Sequence, residues 1–153
     1  MMEFLFRYTP LAFFSQSFWR DEAFSYLMAK QSIGEILTTT AKDFSPPLYY
    51  LLLHFWIQIA GHSEVALRSV SILFFYATVY IVDHYMIDVL KIKTKWRYLY
   101  LHLFIINPFI TYYAYEARMY TMLAFFGTLS FYAFIRKSKK LYIVSSILGL
   151  YTH

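Results

Sequence analysis

Cysteine is absent from the 153 residues, which removes disulfides, thiolate metal sites and thiol nucleophiles from consideration. Charge is scarce too: 15% of the side chains are charged, against 59% hydrophobic and 23% aromatic, and the mean hydropathy is +0.45. A soluble domain carries roughly 25% charged residues, so the expected class is a membrane protein. Gly-rich phosphate loops, zinc-binding spacings and nucleophile elbows are missing, as are repeats, low-complexity tracts and alternating strand patterns. The net charge of +5 does not point to nucleic acid, because the basic residues are interleaved with long apolar segments and build no soluble basic face.

What is present is a series of apolar runs, over 4–19, 69–90, 98–111, 119–135 and 141–153, read as membrane spans or parts of them. A bilayer needs ~20 apolar residues per helix. The first run is shorter than that, is interrupted by Arg7 and Pro10, and is followed by no small-residue cleavage site before Asp21; it reads as an anchor rather than a signal peptide. The last run stops midway, so the chain is expected to be the N-terminal piece of a longer transmembrane domain.

Two basic clusters, Lys91, Lys93, Lys95 and Arg97, then Arg136, Lys137, Lys139 and Lys140, separate the long runs. Placing both in the cytoplasm puts the turn near 112–118 outside, together with Arg68 and the Arg20-Asp21-Glu22 triplet. This parity requires that the apolar run 48–60 not cross. In that run Tyr50, His54 and Gln58 recur every four residues, a polar stripe that predicts a helix lying in the interface. Ser32 and Glu35 have capping-box spacing for a short helix over 33–41, and Pro46-Pro47 ends it. The expected architecture is all-α and polytopic, with 20–68 as a long external loop of short interfacial helices.

On this topology Asp21, Glu22, Glu35, Asp43, Glu64 and Glu116 share the outer face with Arg20, Arg68 and Arg118. Carboxylates at an apolar boundary have tunable pKa values and strong interactions. Each has a plainer reading as well. Asp21 has the position of an N-cap for a helix starting at Glu22, Glu116 that of an ion-pair partner for Arg68 or Arg118, and Arg68 that of an arginine snorkelling to headgroups. In YEARMY, Tyr112, Glu116 and Tyr120 would share one helical face. His54 reads as an interfacial polar residue, and Asp83, His84 and Asp88 as solvated or paired with the Lys91 cluster.

The order of these features is more specific than any one of them: Trp19, Asp21 and Glu22; then Asp43, Pro46, Pro47, Leu48 and Tyr49; then Gly61, Glu64 and Arg68; then Glu116, Ala117, Arg118 and Tyr120. It resembles the N-terminal part of the GT-C membrane glycosyltransferases, in particular bacterial family 39, which includes protein O-mannosyltransferases and lipid A aminoarabinose transferases. The resemblance covers nearly all of this chain and about the front third of such enzymes. It implies transfer of a sugar from a polyprenyl-phosphate carrier to a protein, lipid or glycan acceptor on the external face of the plasma (inner) membrane.

By the same resemblance Asp21 is the base that takes the acceptor proton, Glu22 orients it or the acceptor, Glu116 is the second acid of the outer site, and Arg68 and Arg118 hold the carrier phosphate. Some relatives place a divalent cation between the acids that correspond to Asp21 and Glu116, while mannosyltransferase-like members need none. Ser45 stands where aminoarabinose-type members carry a lysine, which argues against that sugar. The piece alone is expected to be inactive. A non-catalytic transporter piece or scaffold, or an inactive remnant, are the competing readings.

Overall fold

The computed structural model describes residues 16–43 and 45–153. Among the described residues there are eight helices and no strand, so the chain is all-α. The run 4–19 lies mostly outside the described residues.

Among the described residues three short helices come first: α1 (Arg20–Ala29), α2 (Ile33–Lys42) and α3 (Leu48–Ala60). The capping box at α2 forms as its spacing predicts, with the Ser32 N–H donating to Glu35 Oε2 at 2.9 Å and the Glu35 N–H to Ser32 Oγ at 3.4 Å. The polar stripe of α3 runs from the core to the surface, from buried Tyr50 to exposed Gln58. Tyr50 is buried, and His54 donates from Nδ1 to the Ala29 carbonyl at 2.9 Å while Gln58 meets its other nitrogen at 3.0 Å. The reason is that α1 ends with an unsatisfied carbonyl, which the histidine of the neighbouring helix caps. Gly61 closes α3 at φ 88° and ψ −173°, a conformation open to glycine alone.

The longest helix, α4 (Glu64–Asp88), has 25 residues and is the one described helix long and apolar enough to cross a bilayer. Ser63 caps it by accepting the Ala66 N–H, and Trp56 Nε1 donates to the Ala66 carbonyl at 2.8 Å, which fastens α3 to its start. The stretch 98–111, expected as one span, is instead two helices, α5 (Thr94–Ile105) and α6 (Pro108–Ala114). Asn107 caps α6 by accepting the Phe109 and Ile110 N–H groups, and Pro108 sits in its first turn with no N–H to give back to α5. Helices α7 (Tyr120–Ile135) and α8 (Lys139–Leu150) complete the chain.

Side-chain contacts define how these helices run. Phe74 packs on Phe125 and Phe126, and the Tyr132 hydroxyl donates to Asp88 at 2.5 Å, so α4 and α7 are parallel. Phe75 stacks on Phe104 while Asp83 pairs with Arg97 at 3.0 Å, so α5 returns antiparallel to α4. Phe134 meets Tyr142 and Tyr120 meets His153, so α8 returns antiparallel to α7. Helices α1 to α3 form a cap over the end where α4 and α7 begin, and the Leu48 N–H reaches the Tyr151 carbonyl there at 3.1 Å.

One apolar core joins this cap to the upper halves of α4 and α7, and Met28, Ile36, Tyr49, Leu53, Leu67 and Met122 are among its members. Further from the cap burial fades. No residue of α5 is buried, and Leu73, Tyr76, Leu103, Phe131, Phe134 and Ile143 are exposed apolar side chains on four helices.

Candidate functional site

The site is assembled where the cap meets the first turns of α4 and the segment between α6 and α7. Glu22 lies in the first turn of α1, on the face it shares with Ser25 and Met28, and that face turns inward. Arg68 lies on the inner face of α4, one turn from its start, beside Leu67 and Ser71. The two meet across 46 positions of sequence in a two-pronged ion pair: Arg68 Nε donates to Glu22 Oε1 at 2.8 Å and Nη2 to Oε2 at 2.6 Å, with both side chains 2% exposed. Arg68 Nη1 also donates to the Gln16 carbonyl at 2.9 Å, and the guanidinium lies 5.9 Å from the Phe18 ring centre.

Glu22 has two further donors. The Ala117 N–H reaches Oε1 at 2.9 Å and the Trp19 N–H reaches Oε2 at 3.4 Å. This settles which acid serves the start of α1. The helix begins at Arg20, Trp19 is its N-cap, and Glu22 rather than Asp21 reaches back to it. Asp21 is a first-turn residue, half-buried, and not the N-cap that its position beside Glu22 suggested.

Residues 115–119 are a turn, not helix, so Tyr112, Glu116 and Tyr120 do not share a helical face. Three bonds hold the turn open. The Ser71 hydroxyl donates to the Glu116 carbonyl at 2.5 Å, the Arg118 N–H donates to the same carbonyl at 2.8 Å, and the Ala117 N–H is drawn to Glu22. The Glu116 side chain is buried and its Oε2 has no hydrogen-bond partner among the described residues. Burial pushes its carboxyl up to about 7, with the Arg118 charge opposing and the negative charges of Glu22 and Asp21 adding to the rise. A carboxyl of that kind exchanges a proton near neutrality.

Arg118 extends the other way. Its Nη1 lies 3.4 Å from both the Asp21 carbonyl and the Ser25 hydroxyl, and the guanidinium is 5.8 Å from the Tyr120 ring centre. Its Nε is buried without a hydrogen-bond partner among the described residues. A cavity of about 230 Å³ opens beside Glu116, lined by Gln16, Ser17, Trp19, Glu22, Arg68, Tyr112 and Glu116. By the ~30 Å³ share of a water in the liquid, it holds several waters or one small polar group.

Of the five residues singled out from the sequence, Glu22, Arg68 and Glu116 thus surround one cavity, while Asp21 and Arg118 stand beside that cluster and are not in the cavity's lining. Ser71, Ser25 and Gln16 were not singled out. Ser71 is three residues beyond Arg68 on the same helix face, the one available signal for it. As for a cation, no three His, Asp or Glu side chains gather among the described residues. Of the two acids that the resemblance gives to a cation, Glu116 lines the cavity and Asp21 does not.

Compared with known protein families, curated proteins and solved structures, the chain matches none of them.

Proposed function

We propose that the chain is the N-terminal part of a polytopic GT-C-type membrane glycosyltransferase, similar to family 39, that takes its sugar from a polyprenyl-phosphate carrier on the external face. The observation that carries this reading is the convergence of Glu22, Arg68 and Glu116, far apart in sequence, on one cavity beside a carboxyl oxygen with no hydrogen-bond partner among the described residues.

The membrane part of the reading has its own support. Helix α4 has the length of a span, and the helices beside it expose apolar side chains that water would penalise. From Ser71 at the site to Asp88 at the far end of α4, 17 residues at ~1.5 Å each give about 26 Å, close to the ~30 Å hydrocarbon thickness. Both basic clusters sit at that far end, as a cytoplasmic side requires.

The geometry redistributes the chemical roles. Arg68 is engaged by Glu22 and the Gln16 carbonyl, so this pair is assigned to holding the cap on α4. Arg118, whose buried Nε has no hydrogen-bond partner among the described residues, is the better phosphate ligand, because charge grows on the carrier phosphate as the sugar–oxygen bond breaks and a fixed cation lowers the barrier. Glu116 is poised to exchange a proton at neutral pH, and Asp21 remains the base that the resemblance implies. A divalent cation, when bound, would neutralise phosphate charge, with Asp21 and Glu116 holding it as the resemblance implies. An apolar hollow of about 560 Å³ lined by Phe75, Phe104, Phe109, Tyr113, Tyr120 and Leu123 adjoins the site and has the character a lipid tail needs.

The test is binding by the full chain in detergent micelles, with a short-chain polyprenyl-phosphate sugar as ligand and the phosphate-free polyprenol as control. Saturable binding that needs the phosphate is expected, weakened about 10- to 100-fold in Arg118→Ala, the scale of a lost charge-assisted contact. Equal affinity for polyprenol and polyprenyl-phosphate sugar would overturn the reading. The buried Glu22–Arg68 pair, self-satisfied as structural pairs are, favours a second reading as a non-catalytic membrane scaffold, which that same result would support.

A further inference from the structure

The end of the molecule away from the cap gathers most of its positive charge. Six of the chain's eight lysines, Lys91, Lys93, Lys95, Lys137, Lys139 and Lys140, lie here, and all six are exposed. In sequence they form two groups. In space they share one end, because α4 and α7 finish there and α5 and α8 start there. The acids of this end are already engaged: Asp83 pairs with Arg97, and Asp88 accepts from Tyr132 and faces the charges of Arg136 and Lys91. Among the described residues none of the six lysines forms an ion pair.

Two of these lysines also sit where the backbone resists them. Lys91 at φ 53° and Lys137 at φ 56° are the non-glycine residues with positive φ among the described residues. Each follows a helix C-terminus in a closing turn: the Ile92 N–H bonds the Met86 carbonyl at 3.0 Å, and the Ser138 N–H bonds the Ala133 carbonyl at 2.9 Å. Glycine or asparagine normally fills this left-handed position, because a β-carbon strains it. Attraction to the helix dipole offsets part of the strain, but at α7 Arg136 already supplies a cation at the C-cap. The same exception thus recurs at two helix ends on one face, and each places a lysine there.

What lies next to the lysines identifies the partner. Trp96, Tyr98 and Tyr100 follow at about half exposure, with Lys95 Nζ 6.0 Å from the Trp96 ring centre. Beyond them Leu99, Leu103, Ile143 and Val144 are exposed. Cation, amphipathic aromatic, then aliphatic is the vertical order of headgroup, interface and hydrocarbon in a bilayer. An acidic protein would match the lysines and leave the apolar side chains in water.

We propose that this face docks anionic phospholipid headgroups, with Lys91 and Lys137 as its fixed contacts. The surface has this meaning only if α4 lies in a bilayer, so it rests on the membrane part of the reading above and not on the transfer chemistry. The experiment is native mass spectrometry of the full chain from mixed micelles of phosphatidylglycerol and phosphatidylcholine, with thermal unfolding measured in parallel. Phosphatidylglycerol should be retained preferentially, and less so as salt rises. Lys91→Gly with Lys137→Gly should hold or raise the unfolding temperature, since strain is relieved, yet lower the preference about 30-fold, from roughly 1 kcal/mol per lysine near an anionic surface.

Lys139→Gln with Lys140→Gln, which touches no strained position, should lower the preference with unfolding unchanged, and Lys30→Gln with Lys42→Gln at the cap should leave it as it is. Equal retention of the two lipids, or a double glycine variant that keeps the wild-type preference, would overturn the proposal. So would loss of phosphatidylglycerol to an equimolar polyglutamate peptide or to inorganic phosphate. Retention of no lipid at all would instead point to failure of the membrane reading itself.

Discussion

At the cap end, Glu22 and Arg68 are 2% exposed and bonded to each other; at the other end six lysines stand in the open with no ion-pair partner among the described residues. The first arrangement is assembled from distant positions, such as Glu22 and Ala117, 95 residues apart. The second is assembled from two short clusters, each made of neighbours in sequence. Buried charges must find complete sets of partners, because each lost bond leaves a charge without water or counter-charge. Exposed charges have no such constraint and interact weakly and over longer range. The cap end is therefore fragile to single changes and the lysine end is tolerant, and this contrast is open to experiment.

The largest expected effect is at the buried pair. Glu22→Gln or Arg68→Ala should each destabilise the chain by about 3 to 5 kcal/mol, since each leaves the other charge buried alone. Replacing both together, Glu22→Leu with Arg68→Met, should recover most of that loss, because the desolvation of two charges is removed as well. Thermal or denaturant unfolding of the single and double variants in detergent checks this. A double variant as unstable as the worse single would show that the bonds to the Ala117 N–H and the Gln16 carbonyl matter more than the pairing.

The pH dependence of stability should follow Glu116. Its carboxyl is held at about 7 when folded, against an ordinary value near 4.5. Between those values the folded chain keeps a proton that the unfolded chain has released. Stability contributed by this group is thus fully present below about pH 4.5 and is lost as pH rises towards 7, at no more than about 1.4 kcal/mol per pH unit. Unfolding midpoints measured from pH 4.5 to 8 should fall and then level off for the wild type, and Glu116→Gln should flatten this component.

These two predictions rest on contacts that sequence reading reached unequally. That Glu22, Arg68 and Glu116 stand at one end and two basic clusters at the other was legible, because charge clustering and apolar run length are local properties. The short helices α2 and α3 were legible for the same reason, through the Ser32-Glu35 spacing and the Pro46-Pro47 break. Which acid meets which arginine was not. Glu116 had been matched with Arg68 or Arg118, but Arg68 is taken by Glu22, and nothing in a linear sequence ranks partners that lie 46 or more residues apart. The turn at 115–119 was hidden as well. Its residues have helical spacing, and it is held open by Ser71 and Glu22 from other helices, a tertiary override of local preference. The stripe on α3 was legible as polar, but not its partner inside the protein, the Ala29 carbonyl of another helix.

A smaller effect is expected at Ser71. Its hydroxyl serves the Glu116 carbonyl at 2.5 Å in a buried setting. Ser71→Ala should cost about 1 to 2 kcal/mol, less than either partner of the ion pair, because a neutral acceptor is left short of a donor rather than a charge left alone. The Arg118 N–H still donates to that carbonyl, which keeps the loss near the lower figure. If the turn depends on this bond, proton exchange at the Ala117 amide should quicken in Ser71→Ala, and hydrogen-exchange measurements would detect it.

The smallest effect belongs to an exposed structural device, the capping box of α2. Ser32 and Glu35 are both exposed, and their reciprocal bonds at 2.9 Å and 3.4 Å, with a third between the hydroxyl and the carboxylate at 2.7 Å, are open to water. The serine also holds the Glu35 carboxyl below its ordinary value, through the hydroxyl first and the amide second. Ser32→Ala removes one acceptor for an orphan N–H at the start of a ten-residue helix, a loss of typically ~1 kcal/mol at an N-cap. Water replaces part of the bond at an exposed site, and Ile36 and Thr40 still anchor the helix in the protein, so the expected change in global stability lies at the low end, near 0.5 kcal/mol. The fraying should be local: faster amide exchange over the first turn of α2, with protection around Glu22 and Arg68 unchanged. A global destabilisation as large as that of Arg68→Ala would mean that the whole cap, and not the buried pair alone, holds this end of the molecule together.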